Sequence, residues 1–229
     1  MIKRDLFSKR KLTTYINEFD RIVSQLIKSK ENINAKWGTI LTKDIESSKS
    51  KVFHTHNVQS YSAKMLSMIL NEKLLDIIEL LIGPDIILHH SKLFFKPPLI
   101  GAAFPLHQDW SYFPTKRDTM IAAVIHLSKS DEEMGCFRII PKSHRLGKIN
   151  NSNGHTYNKK IHQKYQLDDA LPIIAKAGDI LFFDARTIHG SLPNNSKEAR
   201  KTILLQLYSG TDEIMPKSKH TNIQLALRG

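Results

Sequence analysis

Apolar residues recur at helical spacing in three stretches near the start of the chain. Within residues 12–28 they form one stripe, and either Thr13 or Thr14 could cap the start of that helix. The same spacing runs through residues 60–70 and again through residues 72–82. We therefore predict three helices whose apolar faces pack on another layer of the fold.

After Gly83 and Pro84 the pattern changes from helical to extended. Runs rich in Ile, Leu, Val and Phe alternate with turn residues, which predicts a series of strands. The predicted strands cover residues 85–96, 103–109, 119–127, 136–140, 172–175, 179–183 and 202–209. Helices followed by a run of antiparallel strands predict an α+β chain whose β part is a sandwich or a jelly roll.

A length of 229 residues suits a single domain with a sizeable core. We divide it into a helical part over residues 1–84, a β core over 85–210 and a C-terminal tail over 211–229. The polar interval 144–171 interrupts the core, and a loop of this length in a compact domain is usually functional or disordered. We predict a mobile lid over the open end of the β fold; the alternative is an unstructured surface insertion.

The composition narrows the classes of function. Hydrophobic residues make up 41% and charged residues 24%, as in ordinary soluble globular proteins. No apolar run reaches transmembrane length and the first ten residues lack the apolar core of a secretory signal, so we expect a cytoplasmic protein that does not enter membranes. Cys136 is the single cysteine, which excludes a disulfide within this chain and any cysteine-based metal cluster.

The net charge of +12 is the one unusual value in the composition. It could indicate nucleic acid, an acidic partner or an anionic substrate. The lysines are scattered rather than collected in a stripe, so we do not expect nucleic-acid binding. The basic balance favours a small-molecule substrate that is anionic or bound to a carrier protein, and it predicts nothing about the oligomeric state.

The candidate chemistry begins at His107 and Asp109, which stand two residues apart in a predicted strand. Side chains of a strand alternate with period two, so both groups can face the same way. A second histidine from elsewhere would complete the triad that holds non-haem Fe(II) and leaves coordination positions open. The motif is weak by itself, because a chain with 11 histidines can hold such a pair by chance. The alternative is a hydrogen-bonded surface pair at a strand end.

A second candidate segment starts at Gly178 and Asp179, continues through a buried strand and ends at His189. Such a histidine is often only a buried group of the core. Farther along, Arg200 opens the last predicted strand, and a guanidinium that faces the interior of a β fold requires an anion. Its fork matches a carboxylate, such as the distal group of a dicarboxylic co-substrate. The alternative for Arg200 is a surface ion pair with Glu198.

Taken together, the ordered motifs resemble the phytanoyl-CoA dioxygenase family of Fe(II)- and 2-oxoglutarate-dependent oxygenases. The family pattern has a His-x-Asp, a Gly-Cys-Leu-Arg-x-x-Pro-Gly-Ser-His block, an Ala-Gly-Asp strand that leads to a distal histidine, and an arginine eleven residues later. The chain carries matching segments at residues 107–109, 135–144 and 177–189 and at Arg200. It departs from the pattern at Phe137, which replaces an aliphatic residue, and at Lys142, which replaces a glycine.

The resemblance implies a role for each matching residue. The implied iron ligands are His107, Asp109 and His189, and Arg200 would bind the distal carboxylate of 2-oxoglutarate with help from Ser191. Two further residues are expected near the co-substrate, Lys96 on the strand before the metal motif and His126, which stands where relatives have a small residue.

The resemblance also implies the fold and the reaction. The fold would be a double-stranded β-helix, the cupin-like jelly roll, with the N-terminal helices packed on it. The cofactors would be Fe(II), 2-oxoglutarate and O2, and the reaction would hydroxylate an unactivated C–H bond of a natural product, an amino-acid derivative or an acyl compound, with release of succinate and CO2. Desaturation, cyclisation or epoxidation is the first alternative. A non-catalytic metal-binding β fold or a basic nucleic-acid-binding protein is the more distant one.

Overall fold

The computed structural model describes residues 1–30, 34, 43–45, 47–149, 159–216 and 221–229, with the backbone alone at 159 and 160. The helices are α1 (Lys9–Ser29), α2 (Ala63–Ile69), α3 (Glu72–Ile82) and α4 (Lys159–His162). The three predicted N-terminal helices are therefore present. None of the helices in the described ranges is both long and apolar enough to cross a membrane.

The start of α1 differs from the prediction. The cap is Ser8, whose hydroxyl accepts a hydrogen bond from the backbone N–H of Lys11 at 3.4 Å. Thr13 and Thr14 lie inside the helix, and each hydroxyl donates to a backbone carbonyl four residues earlier, at 3.0 Å. The predicted caps were wrong because threonine in a helix can satisfy its own hydroxyl in this way, so the first turn extends back to Ser8.

Each strand predicted from the extended pattern is present. The strands are β1 (Ile2–Lys3), β2 (Phe53–His56), β3 (Ile86–Lys96), β4 (Phe104–His107), β5 (Ile121–His126), β6 (Phe137–Ile139), β7 (Leu171–Ile173), β8 (Ile180–Asp184), β9 (His189–Ser191), β10 (Arg200–Ser209) and β11 (Leu225–Arg228). Among the described residues they form a major sheet in the order β1-β8-β5-β10-β3-β11, with β2 also paired to β3, and a minor sheet in the order β4-β9-β6-β7.

The two faces of the major sheet have different partners. The outer face packs against α1, α2 and α3 through a large apolar cluster that includes Phe19, Met68, Ile78, Leu93 and Leu205. The inner face meets the minor sheet through a smaller cluster, in which Phe137 of the minor sheet packs with Val124, Leu181, Phe183 and Leu204. Two facing antiparallel sheets with helices on one outer side are the predicted α+β jelly roll.

Two four-residue strands, β2 and β11, lie outside the predicted β core. Residues 211–229 were expected to form a tail, but β11 lies in this segment and pairs with Ile86, Ile87 and Leu88 of β3. β2 falls in the part expected to be helical and pairs with the other half of β3. Both strands have four residues, which is too short for alternation of polar and apolar residues to stand out from the surrounding loop.

The described flanks of the predicted lid are held by apolar contacts. Residues 150–158 of the lid lie outside the described residues, but Ile149 and Leu167 from its two sides pack against a buried cluster that contains Leu106, Ile161 and Ile188. Leu106 and Ile188 belong to the segments that carry His107 and His189. The flanks of the lid segment are therefore tied to the site.

We expect Gly135→Ala to destabilise the fold far more than Gly147→Ala. Both glycines have positive φ, at +62° and +74°, so alanine is strained at either position. A Cβ on Gly135 would lie 2.2 Å from the Leu192 carbonyl oxygen and 2.4 Å from that of Pro193, whereas no atom of the described residues lies within 4 Å of a Cβ on Gly147. The free energy of unfolding should fall by about 3 kcal/mol or more in the first variant and by about 1 kcal/mol in the second.

Urea unfolding followed by circular dichroism measures both values. Equal shifts of the midpoint in the two variants would contradict this account of Gly135, since they would show that backbone strain alone decides the cost.

Candidate functional site

Strand pairing brings the two candidate histidines together. His107 ends β4, His189 begins β9, and these residues are direct partners in the antiparallel register. Paired residues of adjacent strands point to the same face of a sheet, and the two imidazole rings lie 4.2 Å apart between centroids. Both side chains are buried, at 7% and 4% exposure.

Asp109 joins them from a turn rather than from the predicted strand. β4 ends at His107, and Asp109 begins a 3₁₀ turn over Asp109–Ser111. The Asp109 carbonyl accepts hydrogen bonds from the N–H groups of Tyr112 and Phe113, at 2.9 and 3.2 Å, and these bonds define the turn. The structure thus brings His and Asp together as the spacing suggested, but the turn, and not strand alternation, directs the carboxylate.

The three side chains offer their ligand atoms toward one point. The Nδ1 atoms of His107 and His189 face the carbonyl oxygens of Pro105 and Thr187, at 2.8 and 3.0 Å. A carbonyl only accepts, so each Nδ1 carries the hydrogen and each Nε2 presents a lone pair.

The Nε2 atoms of His107 and His189 lie 3.6 and 3.7 Å from Oδ1 of Asp109. The three ligand atoms lie within 4.8 Å of one another. Two imidazoles and one carboxylate in this arrangement fit a divalent first-row metal with open coordination positions.

Gln206 of β10 holds the second carboxylate oxygen of Asp109. Its Nε2 donates to Oδ2 at 2.6 Å, which leaves Oδ1 directed toward the histidines. Metal ligands are commonly oriented by such a second hydrogen bond. Gln206 was not among the predicted site residues, although it stands on alternate positions with Arg200 along the last strand.

The electrostatics of the triad favour the protonation states that metal binding needs. Burial alone would raise the pKa of Asp109, but the charges and hydrogen bonds of His189, His107 and Gln206 outweigh it and bring the pKa to about 2. Burial and the neighbouring His107 lower the pKa of His189 to about 4. At pH 7 the carboxylate is ionised and the imidazole of His189 is neutral.

A buried cation lies near Phe137, whose ring also neighbours the His189 ring. Arg200 is 2% exposed, its guanidinium carbon is 5.1 Å from the Phe137 ring centroid, and that ring is 6.2 Å from the His189 ring. Its Nη1 donates to the Gly135 carbonyl. No ion pair of the described residues includes Arg200, so the alternative of a surface pair with Glu198 was wrong. Burial lowers its pKa to about 10, which leaves the group charged at pH 7.

The other three predicted residues surround Arg200. Lys96 is its direct partner on β3, and the Lys96 ammonium donates to the Ser191 hydroxyl at 2.7 Å and to the Leu192 carbonyl at 2.6 Å. His126 of β5 pairs with Thr202, on the same inner face. Burial and the charge of Arg200 lower the pKa of His126 to about 4, so the ring is neutral at pH 7.

Two arginines inside the matching segments 135–144 and 177–189 have structural partners. Arg138 donates to a Glu132 carboxylate oxygen and to the backbone carbonyls of Asp168 and Ala170, at 2.8 and 3.0 Å. Arg186 forms an ion pair with Asp184 at 2.6 Å. Cys136 is free and buried.

We expect Asp109→Ala to abolish high-affinity Mn²⁺ binding, and Gln206→Leu to weaken it by about tenfold or more because the carboxylate loses its second hydrogen bond. Mn²⁺ serves as an oxygen-insensitive probe of the triad, and the fraction of free ion can be read by electron paramagnetic resonance. Asp169→Ala, which removes an exposed carboxylate outside the triad, is the control. Unchanged Mn²⁺ affinity in the Asp109 variant would show that the metal binds elsewhere.

The sequence of this chain is similar to those of known proteins that share a family. The sequence profile of the family described as phytanoyl-CoA dioxygenase (PhyH) matches residues 1–202. A protein of Stutzerimonas stutzeri, named probable alpha-ketoglutarate-dependent hypophosphite dioxygenase, is 31% identical over 157 residues, which cover 65% of this chain and 54% of that one. The peroxisomal phytanoyl-CoA dioxygenase of Bos taurus is 27% identical over 223 residues, which cover 89% of this chain and 63% of that one.

The chain therefore spans a little over half to about two thirds of the length of these two curated relatives, 54% and 63%. Among solved structures, the epimerase SnoN in complex with Fe³⁺, alpha-ketoglutarate and nogalamycin RO superposes with a TM-score of 0.79 at 17% identity, over 100% of this chain and 93% of that one. This likeness confirms the jelly-roll fold. Since the family profile also matches most of the chain, the protein belongs to the phytanoyl-CoA dioxygenase family.

Proposed function

We propose that the protein is an Fe(II)- and 2-oxoglutarate-dependent dioxygenase that hydroxylates a C–H bond of a small molecule. The observation that carries the proposal is the joint presence of the His107, Asp109 and His189 ligand set and of the buried Arg200 that no carboxylate of the described residues pairs with. A buried guanidinium without an anion is costly, so this arrangement suits a protein that receives its anion from a ligand.

The ligand set fits iron by its chemistry. Nε2 of both histidines and Oδ1 of Asp109 would hold Fe(II), and both kinds of donor suit this metal. With Fe(II) and 2-oxoglutarate bound, such a site supplies O2-dependent oxidation of a C–H bond, with release of succinate and CO2.

The protein's own residues bind and orient the reactants. Arg200 would pair with the distal carboxylate of 2-oxoglutarate, and the Ser191 hydroxyl, held by Lys96, would donate a second hydrogen bond. The apolar ring of Phe137 lies near both Arg200 and His189, and it would exclude water from the bound co-substrate. His126 is neutral and cannot compete with Arg200 for the anion as a charged group.

The names of the relatives support the same chemistry with different substrates. The Stutzerimonas relative is named for hypophosphite and the Bos taurus relative for phytanoyl-CoA, and both are called dioxygenases. For this chain we propose a small-molecule substrate. Its oxidised carbon would lie next to the coordination positions of the metal that the triad leaves open. Hydroxylation is the outcome that requires no further group from the protein.

Anaerobic addition of Fe(II) and then 2-oxoglutarate to the metal-free protein tests the proposal. The expected result is a visible charge-transfer band that forms only when both are present. His189→Ala should not form the band, because a ligand of the metal is missing, while Asp169→Ala should form it normally. A protein that binds Fe(II) but forms no band on addition of 2-oxoglutarate would refute the proposed function.

A second prediction separates the co-substrate site from the metal site. Arg200→Ala should weaken 2-oxoglutarate binding about a hundredfold, since loss of one partner of a buried charge pair costs roughly 2–5 kcal/mol, and should leave Mn²⁺ affinity within about threefold. Arg138→Ala removes another buried arginine, one that pairs with Glu132, and should not change 2-oxoglutarate affinity. Equal losses in the two variants would indicate general damage to the core.

A further inference from the structure

A second polar group lies on the inner face of the major sheet, beside the triad. Lys92 of β3 pairs with His56 of β2 on one side and with Leu204 of β10 on the other. Paired residues of antiparallel strands share a face, and Leu204 stands four residues after Arg200 on one strand, so Lys92 and His56 point to the same interior as Arg200. His54, two residues before His56, shares that face.

The Lys92 ammonium has no direct counter-charge in the described part of the chain. It is half-buried, and no hydrogen bond or ion pair between described residues includes it. Its nitrogen lies 5.6 Å from the centroid of the Phe113 ring. Loss of hydration lowers the pKa of Lys92 to about 8, so the amine is still charged at pH 7. A desolvated charge without an ion pair is costly for a protein to maintain.

Lys92 lies close to the triad. The Phe113 ring beside it is 5.9 Å from the Tyr112 ring, which is 6.1 Å from the His107 ring, all between centroids. His90, two residues before Lys92 on the same face of β3, is the partner of Gln206, and Gln206 donates to the Asp109 carboxylate. The ammonium therefore faces the space beside the metal ligands, at a position on β3 different from that of Lys96.

The neighbours of Lys92 suit an anion and not a second metal. Burial, followed by the charge of Lys92, lowers the pKa values of His54 and His56 to about 4, so both rings are neutral at pH 7 and each carries one N–H donor. An ammonium among the rings would repel a metal cation. Within the described residues, only the triad brings three candidate metal ligands close enough to hold an ion.

We propose that Lys92, with His54 and His56 beside it, binds an anionic group of the substrate, a carboxylate or a phosphoryl-type oxyanion. This inference rests on the proposed function, because it takes the triad as the reacting centre. The ammonium would supply the charge and each neutral imidazole one N–H donor, which together match the oxygen atoms of such a group. The co-substrate has its own cation in Arg200, so Lys92 is available to the substrate.

The test measures how close small anions come to a metal at the triad. The protein is loaded with Mn²⁺ and 2-oxoglutarate, and inorganic phosphate or ¹³C-labelled acetate is titrated while paramagnetic relaxation of the ³¹P or ¹³C nucleus is followed. The expected result is saturable relaxation enhancement by one or both anions, weakened at least about tenfold in Lys92→Met and largely restored in Lys92→Arg. The anion with the stronger response identifies the oxyanion class.

Lys201→Met is the matched control. Lys201 is on β10 and its ammonium pairs with Asp20 of α1, on the helix side of the same sheet, so this variant removes the same charge from the opposite face. It should bind the anions as the unaltered protein does. Lys92→Met should fold at least as well as the unaltered protein, because methionine has a similar shape and needs no hydration.

Two results would overturn the inference. One is an unaltered protein that shows no saturable enhancement with either anion, and the other is a Lys92→Met protein whose enhancement equals that of the unaltered protein. Failure of the proposed function has a different signature, since it appears as a missing charge-transfer band with Fe(II) and 2-oxoglutarate and leaves the Mn²⁺ measurement in place.

Discussion

The antiparallel ladder between β3 and β10 sets the position of almost every polar group in the interior. Its inner face carries the pairs Lys96 and Arg200, Lys92 and Leu204, and His90 and Gln206, while Leu93, Ile203 and Leu205 face the helices. Side chains alternate with period two, so a shift of one residue in this register would move the interior cations into the apolar layer under α1 and α3. The register is therefore strongly specified by burial on both sides.

A β-bulge in this ladder lets the apolar and the polar residues of β3 face opposite sides of the sheet. The register shifts between Gln206 and Leu207, opposite His89. On one side of the shift, Leu88 pairs with Leu207 and both face the helices. On the other side, His90 pairs with Gln206 and both face the interior. Without the extra residue, Leu88 and His90 would share a face. The bulge thus keeps the apolar core intact and still directs Gln206 to Asp109, a use of bulges that is common beside functional sites.

Buried positive charge is the main cost in this interior. Lys92, Lys96 and Arg200 all project from adjacent strands into a space with few carboxylates, and burial lowers the pKa values of Lys92 and Arg200. Anionic ligands would remove much of this cost, since each would supply the charge that the fold omits. The proposed anionic co-substrate and anionic substrate would supply counter-charges to Arg200 and Lys92, and they would relate the basic interior to oxidation at the triad.

The sequence by itself determined the type of most elements and the ordered ligand motifs. Helical and extended periodicities are local, so α1, α2, α3 and the core strands could be predicted, and the spacing of His107, Asp109, His189 and Arg200 indicated the site. Only the tertiary structure decided that Gln206 holds Asp109 and that Lys92 lies between His56 and Leu204 near the triad. These contacts depend on which distant strands pair, in which register and with which bulge, and no local pattern contains that information.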